Sequence, residues 1–284
     1  MKFGLNIINF GPSASARAIA STVLWAESVG FQLAMLSDHV TVTPDVARLY
    51  PEHFYEPFTT LAWLAGKTTR IQLGTTVVIV PYRHPLLIAR MSAQLDEFAG
   101  GRLILGVGVG WARAEFEALG VPFGRRGALT DEYLANLPER HAPIWVGGHS
   151  RAAIRRAARF GDAWHPLNAS LEWLSNEGLP LLRRYAEQAG RAIPAFAPRI
   201  RVRLQPEGVN GEDEPVADAD RRPGQGSLAD IRRDLSALAK LGAEYVVLDT
   251  YLGNPAELDD PKAMLDPIDV LLERVIDTAG ERLR

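Results

Sequence analysis

Eight short runs rich in aliphatic and β-branched residues recur along the 284-residue chain, and helical patterns alternate with them. No other feature constrains the fold as much. The runs are Phe3–Ile8, Leu33–Ser37, Ile71–Ile79, Leu103–Val107, Ile144–Val146, Ala163–His165, Ile200–Leu204 and Tyr245–Leu248. Several are apolar on consecutive positions, as expected of parallel strands buried on both faces. The helical patterns have recognisable ends. Ala16–Val29 closes on Gly30, and Pro57 and Pro85 stand where a first-turn proline opens a helix, because the missing N–H costs nothing there. Ser150 caps Arg151–Phe160, which stops at Gly161, and Ser227 caps Leu228–Leu241, which stops at Gly242. A last helix is expected from Pro267 to about Gly280. Eight strand–helix units predict an α/β fold of the (β/α)8 TIM-barrel type, since open doubly wound sheets usually have fewer units. No linker divides the chain, so residues 1–284 are expected to form a single domain. Pro206–Gly226, rich in Gly, Pro, Asp and Glu, reads as a long loop at the barrel mouth with the composition of a disordered stretch.

Composition removes several function classes. A net charge of −3 supplies no global basic field for nucleic acid or anionic membrane. Arg151, Arg155, Arg156 and Arg159 fall at helical spacing and read as a solvated helix face. The chain has no cysteine, which excludes disulfides, thiolate nucleophiles and zinc–thiolate sites and suits a reducing cytoplasm. Met1–Ile8 is too short and wrongly flanked for a signal peptide, and no apolar run approaches the ~20 residues that span a bilayer. A cytoplasmic protein acting on small molecules is the expectation.

In a barrel of this kind catalytic groups come from strand C-termini and the loops after them. The second strand ends Ser37-Asp38-His39. A carboxylate beside an imidazole can orient it and raise its pKa, which suits proton transfer or polar ligand binding; the alternative is a local turn capped by Asp38. In the third, Gly74-Thr75-Thr76-Val77-Val78 marks either a bulge or a merely curved strand. The fourth runs into Gly106-Val107-Gly108-Val109-Gly110-Trp111, whose Gly-x-Gly-x-Gly spacing is not the dinucleotide fingerprint. These glycines would let a flat ligand lie on bare backbone, with Trp111 as wall or lid. Gly147-Gly148-His149-Ser150 ends the fifth strand at a helix start, a natural phosphate site. Gly224-Gln225-Gly226-Ser227, near Arg221 and Arg222, is a second cradle of the same kind, and both remain candidates. His165 and Asp249, at the ends of the sixth and eighth strands, point toward the mouth. The histidines lack the paired spacing of a metal site, and no Gly-x-Ser-x-Gly elbow supports a serine nucleophile. Glycines, aromatics and one Asp-His pair suit a planar phosphorylated cofactor that carries the hard chemistry itself.

The segments Ser37-Asp38-His39-Val40, Leu73-Gly74-Thr75-Thr76-Val77, Gly106–Trp111, Glu115-Phe116-Glu117-Ala118-Leu119-Gly120, Trp145-Val146-Gly147-Gly148-His149-Ser150 and Arg159–Pro166 resemble the bacterial luciferase-like superfamily. More narrowly they resemble its branch of oxidoreductases that use the deazaflavin coenzyme F-420. The resemblance runs from Lys2 to at least Thr250. It implies that Asp38 and His39 lie beside the ring or substrate and serve catalysis. It also implies that Thr76 and Val77 form a non-proline cis peptide in a bulge supporting the ring from behind. Val109, Gly110, Trp111, Val146, Gly147, Gly148 and Ser150 complete the implied cofactor site, with Gly147 and Gly148 toward the phosphate. Related sugar-phosphate dehydrogenases have an acid at the position of Trp111, so their reaction is not expected here. Only Ala135–Ala142 joins Leu134 to Pro143, where the family usually has a longer insertion, so an open site is expected. Three activities fit: hydride transfer with F-420 and a small organic substrate, oxygen activation with FMN, or cofactor binding without turnover. A 5-deazaflavin lacks the N5 that supports oxygen chemistry, so the cofactor decides between the first two. Relatives of this type often pair through outer helices, so a homodimer is one assembly open to the chain, and the sequence does not decide the oligomeric state.

Overall fold

The computed structural model describes residues 1–136, 142–205 and 221–284. Eight barrel strands are present: β1 (Lys2–Ile7), β2 (Leu33–Leu36), β3 (Gln72–Thr75), β4 (Leu103–Gly108), β5 (Ile144–Gly147), β6 (Ala163–His165), β7 (Ala195–Phe196 and Arg199–Arg201) and β8 (Tyr245–Asp249). Each neighbouring pair from β1 to β6 is parallel, and β8 pairs with β1 in the register Lys2↔Tyr245. The ring closes through β7, which is bonded on both edges. The N–H groups of Ala195, Ala197 and Arg199 donate to the carbonyls of Asp162, Trp164 and Pro166. On the other edge, Glu244 and Val247 donate to the carbonyls of Phe196 and Pro198. Pro198, with no N–H, sits at the break between the two pieces, where a ladder donor is missing anyway.

Helices pack outside this ring: α1 (Ala16–Ser28), α2 (Pro57–Ala65), α3 (Pro85–Phe98), α4 (Arg126–Ala135), α5 (Arg151–Phe160), α6 (Leu179–Gln188), α7 (Leu228–Lys240) and α8 (Pro261–Arg274). Their starts follow from capping chemistry. Ser15 accepts from the Ala18 N–H and Ser150 from the Ala153 N–H, while Ser227 and Asp230 form a reciprocal capping box. Proline stands at the opening of α2 and α3, as the sequence requires.

Strand periodicity sorts side chains into two cores. Leu33, Met35, Ile104, Trp145, Ala163, Ala197, Tyr245 and Val247 fill the barrel interior. Their neighbours, among them Ala34, Leu36, Ile144, Val146, Val246 and Leu248, pack outward against the helices. Trp145 meets Tyr245 edge-to-face at 5.0 Å, and truncating such an indole to alanine costs about 3–5 kcal/mol. Continuing the inward parity by two toward the C-terminal end brings Asn6, Ser37, Thr76, Gly147, His165, Arg199 and Asp249 to the mouth. A period of 2 therefore selects the residues of the site.

Four expectations need correction. The seventh strand begins at Ala195 rather than Ile200, and Arg203–Leu204 instead pairs with Gln225–Gly226 outside the barrel. The last helix begins at Pro261, with Asp260 accepting from the Lys262 and Ala263 N–H groups, so Pro267 lies inside it. The third strand is not continuous over Ile71–Ile79: it breaks at Thr76–Val77 and resumes as Val78–Ile79 beside Val107–Gly108. Arg156 is not on a solvated face; it is buried and paired with Asp131 at 2.6 Å. Most of the expected loop (206–220) and most of the short connection before β5 (137–141) lie outside the described residues.

Candidate active site

The strand ends enclose a cavity of about 400 Å³. Of the residues singled out from sequence, Asp38, His39, Thr76, Val77, Val109, Gly110, Trp111, Gly147 and Gly148 line it, as do Gly108, His149 and His165. Val146 and Ser150 do not. Val146 has the outward parity and is buried between sheet and helices, and the Ser150 hydroxyl is occupied in capping α5.

The floor is the peptide Thr76–Val77, which is cis. Val77 packs over three glycines, which explains them. A Cβ on Gly108 would stand 2.5 Å from Val77 Cγ2, one on Gly147 2.9 Å from Val77 Cγ1, and one on Gly106 1.8 Å from the Thr75 carbonyl oxygen. These glycines make room for the bulge, and Gly108 and Gly147 also line the cavity. Gly110 differs, because its φ of +77° is a left-handed conformation that favours glycine.

Beneath the floor lies a polar chain. Arg199 Nη1 donates to both the carbonyl and the hydroxyl oxygen of Thr76, each at 3.0 Å. Its Nε and Nη2 donate to Asp249 Oδ2 at 3.1 and 2.7 Å, and Asn6 Nδ2 donates to Oδ1 at 2.9 Å. His165 Nδ1 donates to the Ala197 carbonyl at 2.5 Å, so Nε2 accepts from the Thr76 hydroxyl at 3.0 Å. Burial, reinforced by the Arg199 charge, pulls the His165 pKa down to about 4, so this ring is neutral near pH 7. His165 and Asp249, read from sequence as mouth residues, are thus joined through Arg199 into the support of the floor.

Asp38 and His39 do not act as a pair. Asp38 accepts from Arg83 Nη1 and Nη2 at 2.7 and 2.8 Å and from the Ile79 N–H at 2.9 Å. It therefore ties the segment after β3 to the end of β2. His39 Nδ1 instead meets Glu115 Oε2 at 2.6 Å, across 76 residues of sequence. Glu115 is fully buried and also accepts from the Val40 and Thr41 N–H groups and the Tyr82 hydroxyl. Burial alone would raise its pKa, but His39, the Thr41 N–H and Tyr82 together hold it below the usual carboxylate range. An ionised Glu115 only accepts, so Nδ1 of His39 carries the hydrogen and Nε2 is left for the cavity. Burial and the adjacent carboxylate push the Tyr82 hydroxyl well above its ordinary value.

Sequence reasoning assigned no role to Arg83, Arg199 or Tyr50, and Glu115 appeared only inside a resembling segment. Arg83 and Arg199 had a usable signal, since both follow or sit in strand C-termini. Glu115 had none, because its partner is fixed by folding. Trp111 forms an exposed wall, edge-on to His39 at 5.8 Å and near Tyr50 at 6.4 Å.

The two phosphate cradles separate in the structure. The Gly224 N–H donates to Asp234, the Ser227 N–H and hydroxyl donate to Asp230, and Arg221 is paired with Asp234. Carboxylates of the chain already use those donors. Gly147 and Gly148 open on the cavity instead.

Residues 1–139 match the family model of luciferase-like monooxygenases. An uncharacterized protein of Mycobacterium tuberculosis is 29% identical over 207 residues, covering 60% of this chain and 71% of that protein. A phthiodiolone/phenolphthiodiolone dimycocerosates ketoreductase of Mycobacterium kansasii is 30% identical over 229 residues, 66% of this chain and 62% of its own. An F-420-dependent glucose-6-phosphate dehydrogenase of Kineococcus radiotolerans is 29% identical over 217 residues, covering 66% and 63%. The matches to these last two span less than two thirds of their length. Among solved structures, an F-420-dependent secondary alcohol dehydrogenase aligns with a TM-score of 0.76 at 16% identity over 98% of both chains. The FMN-bound oxygenating constituent of 3,6-diketocamphane monooxygenase of Pseudomonas putida aligns with a TM-score of 0.73 at 17% identity, covering 100% and 99%. At such identities these neighbours establish the shared fold. The resemblance to the luciferase-like superfamily and its F-420-using branch is borne out, as is the barrel, and these named relatives and neighbours are oxidoreductases or monooxygenases.

Proposed function

We propose that the chain is an oxidoreductase that transfers hydride between coenzyme F-420 and a small organic substrate in this cavity. The observation that carries the reading is a bulged floor at Thr76–Val77 facing a histidine whose tautomer Glu115 fixes. The cavity of about 400 Å³ lies within the range of ligand pockets, and its floor and the Gly147–Gly148 turn fit a planar ring with a phosphate arm. When bound, the deazaflavin supplies two-electron hydride chemistry. The residues do the rest. Val77 supports the ring, Gly147 and Gly148 admit the phosphate arm, and Val109, Gly110 and Trp111 border the site. Arg199, its charge met by Asp249, holds the Thr76 carbonyl and hydroxyl and so fixes the floor. His39 Nε2 holds or delivers the proton at the substrate oxygen, with Glu115 stabilising the charged ring. Asp38 is a positioning residue, since its oxygens are committed to Arg83 and Ile79.

FMN is the second reading, favoured by the monooxygenase neighbour in complex with FMN and by the family model matched. Parallel titration of the apo-protein with both cofactors, followed by fluorescence, separates the two. Binding of F-420 at least tenfold tighter than FMN is expected; tight FMN binding without F-420 binding would overturn the choice.

A further inference from the structure

Beside the ring cavity lies a second basin of about 560 Å³, and the two share His149 and Leu167. The basin therefore borders the ring cavity at those two residues. Arg201 and Arg222 line it, and no carboxylate does among the described residues. Arg201 follows Arg199 by two positions on β7, so both side chains have the inward parity. Their circumstances differ. Arg199 is saturated by Asp249 and Thr76, whereas Arg201 Nε is buried with no hydrogen-bond partner. The other arginines around the mouth have carboxylates: Arg83 has Asp38 and Arg221 has Asp234. The Arg201 guanidinium nitrogens lie 3.8 and 3.9 Å from where a Cβ on Gly253, in the loop after the neighbouring β8, would stand. Buried polar groups are normally bonded, so the unpaired Arg201 Nε, a donor in a basin that a second guanidinium also lines, calls for an acceptor ligand.

We propose that this basin is an anion subsite, in which Arg201 and Arg222 hold a carboxylate or phosphate of a ligand whose other end lies in the ring cavity. The proposal deepens the functional reading and rests on it for the identity of that other end. A guanidinium fork suits planar or tetrahedral oxyanions, and partial burial strengthens the bond by excluding water. Two sources supply such a group: an acidic substrate, or the anionic arm of the cofactor.

The test uses the full chain and the variants Arg201→Gln, Arg222→Gln and their double, with Arg203→Gln, an exposed neighbour, as control. Calorimetric titration of the apo-protein with benzoate and with inorganic phosphate reads the subsite alone. Fluorescence titration with F-420 and with 5-deazariboflavin, which lacks the phosphate arm, reads the cofactor source. At least a tenfold loss of F-420 affinity in the double variant, with 5-deazariboflavin affinity unchanged, assigns the anion to the cofactor. Unchanged F-420 affinity with at least a tenfold loss of benzoate affinity in the F-420-loaded protein assigns it to the substrate. If the double variant binds all four probes as the parent does, or if the parent binds no anion in any form, the subsite is overturned. If the parent binds neither deazaflavin but its benzoate or phosphate affinity falls in the double variant, the functional reading fails while the subsite stands.

Discussion

Replacing Gly108 with alanine tests the account of the floor atom by atom. The new methyl carbon would sit 2.5 Å from Val77 Cγ2, with Val77 Cβ next at 3.6 Å. Non-bonded carbons are most favourable at about 3.5–4.0 Å, so the shortfall is about 1 Å against a single methyl group. Overpacking of this kind costs about 1–3 kcal/mol. Val77→Ala removes that methyl group and by itself should cost about 1–2 kcal/mol for the lost apolar contact. The double variant should therefore be less destabilised than the sum of the singles, by about 1–2 kcal/mol of coupling. Gly106→Ala is the contrast. Its methyl would meet the Thr75 carbonyl oxygen at 1.8 Å, a backbone atom, so Val77→Ala should not rescue it. Urea unfolding midpoints at constant slope give all of these values. A neutral Gly108→Ala, or strict additivity with Val77→Ala, would refute the claim that the glycines exist to seat the bulge.

Three other perturbations probe the polar network. His165 is held neutral, with a folded pKa of about 4 against 6.5 for a free histidine. Its contribution is intact above about pH 6.5 and is lost as pH falls toward about 4, by up to about 3 kcal/mol; the difference in urea stability between the parent and His165→Gln should shrink or reverse over that window. Glu115→Gln puts an amide N–H₂ in place of one of two oxygens that both face donors, so stability should drop by about 1–3 kcal/mol. In the same variant kcat/KM should fall at least tenfold while cofactor affinity stays within about threefold, which steady-state kinetics and fluorescence titration read separately. Arg83→Met leaves the buried Asp38 carboxylate without its cation and should cost about 3–5 kcal/mol in thermal or urea unfolding, with part recovered in Arg83→Met/Asp38→Asn.

Much of this molecule was legible in the chain because it depends on local chemistry. Consecutive apolar runs and capping serines specify parallel strands and helix starts wherever they lie, so Ser150 and Ser227 gave α5 and α7 nearly to the residue. The seventh strand was misplaced because Pro194 and Pro198 break the pattern of Ala195–Arg201, while the β-rich look of Ile200–Leu204 reflects a separate pairing. Pro267 misled because an interior proline and a first-turn proline look alike in sequence, and only the Asp260 cap distinguishes them. In the site, position at a strand end pointed to Asp38 and His39, the family resemblance added Thr76 and Val77, and all four line the cavity. Which carboxylate serves which partner was not legible. Adjacent Asp38 and His39 point to different partners, because the barrel brings Arg83 to one and Glu115 to the other.

The central claim is that this cavity moves a hydride. Reduced F-420 carrying deuterium at its transferable position, incubated without oxygen with a panel of small aldehydes and ketones, tests it most directly by mass spectrometry of the alcohols formed. The account predicts one deuterium per product molecule, with the rate falling about a hundredfold or more in His39→Ala. Product that forms only with FMN and oxygen, or no product across the panel despite saturated cofactor binding, would contradict it.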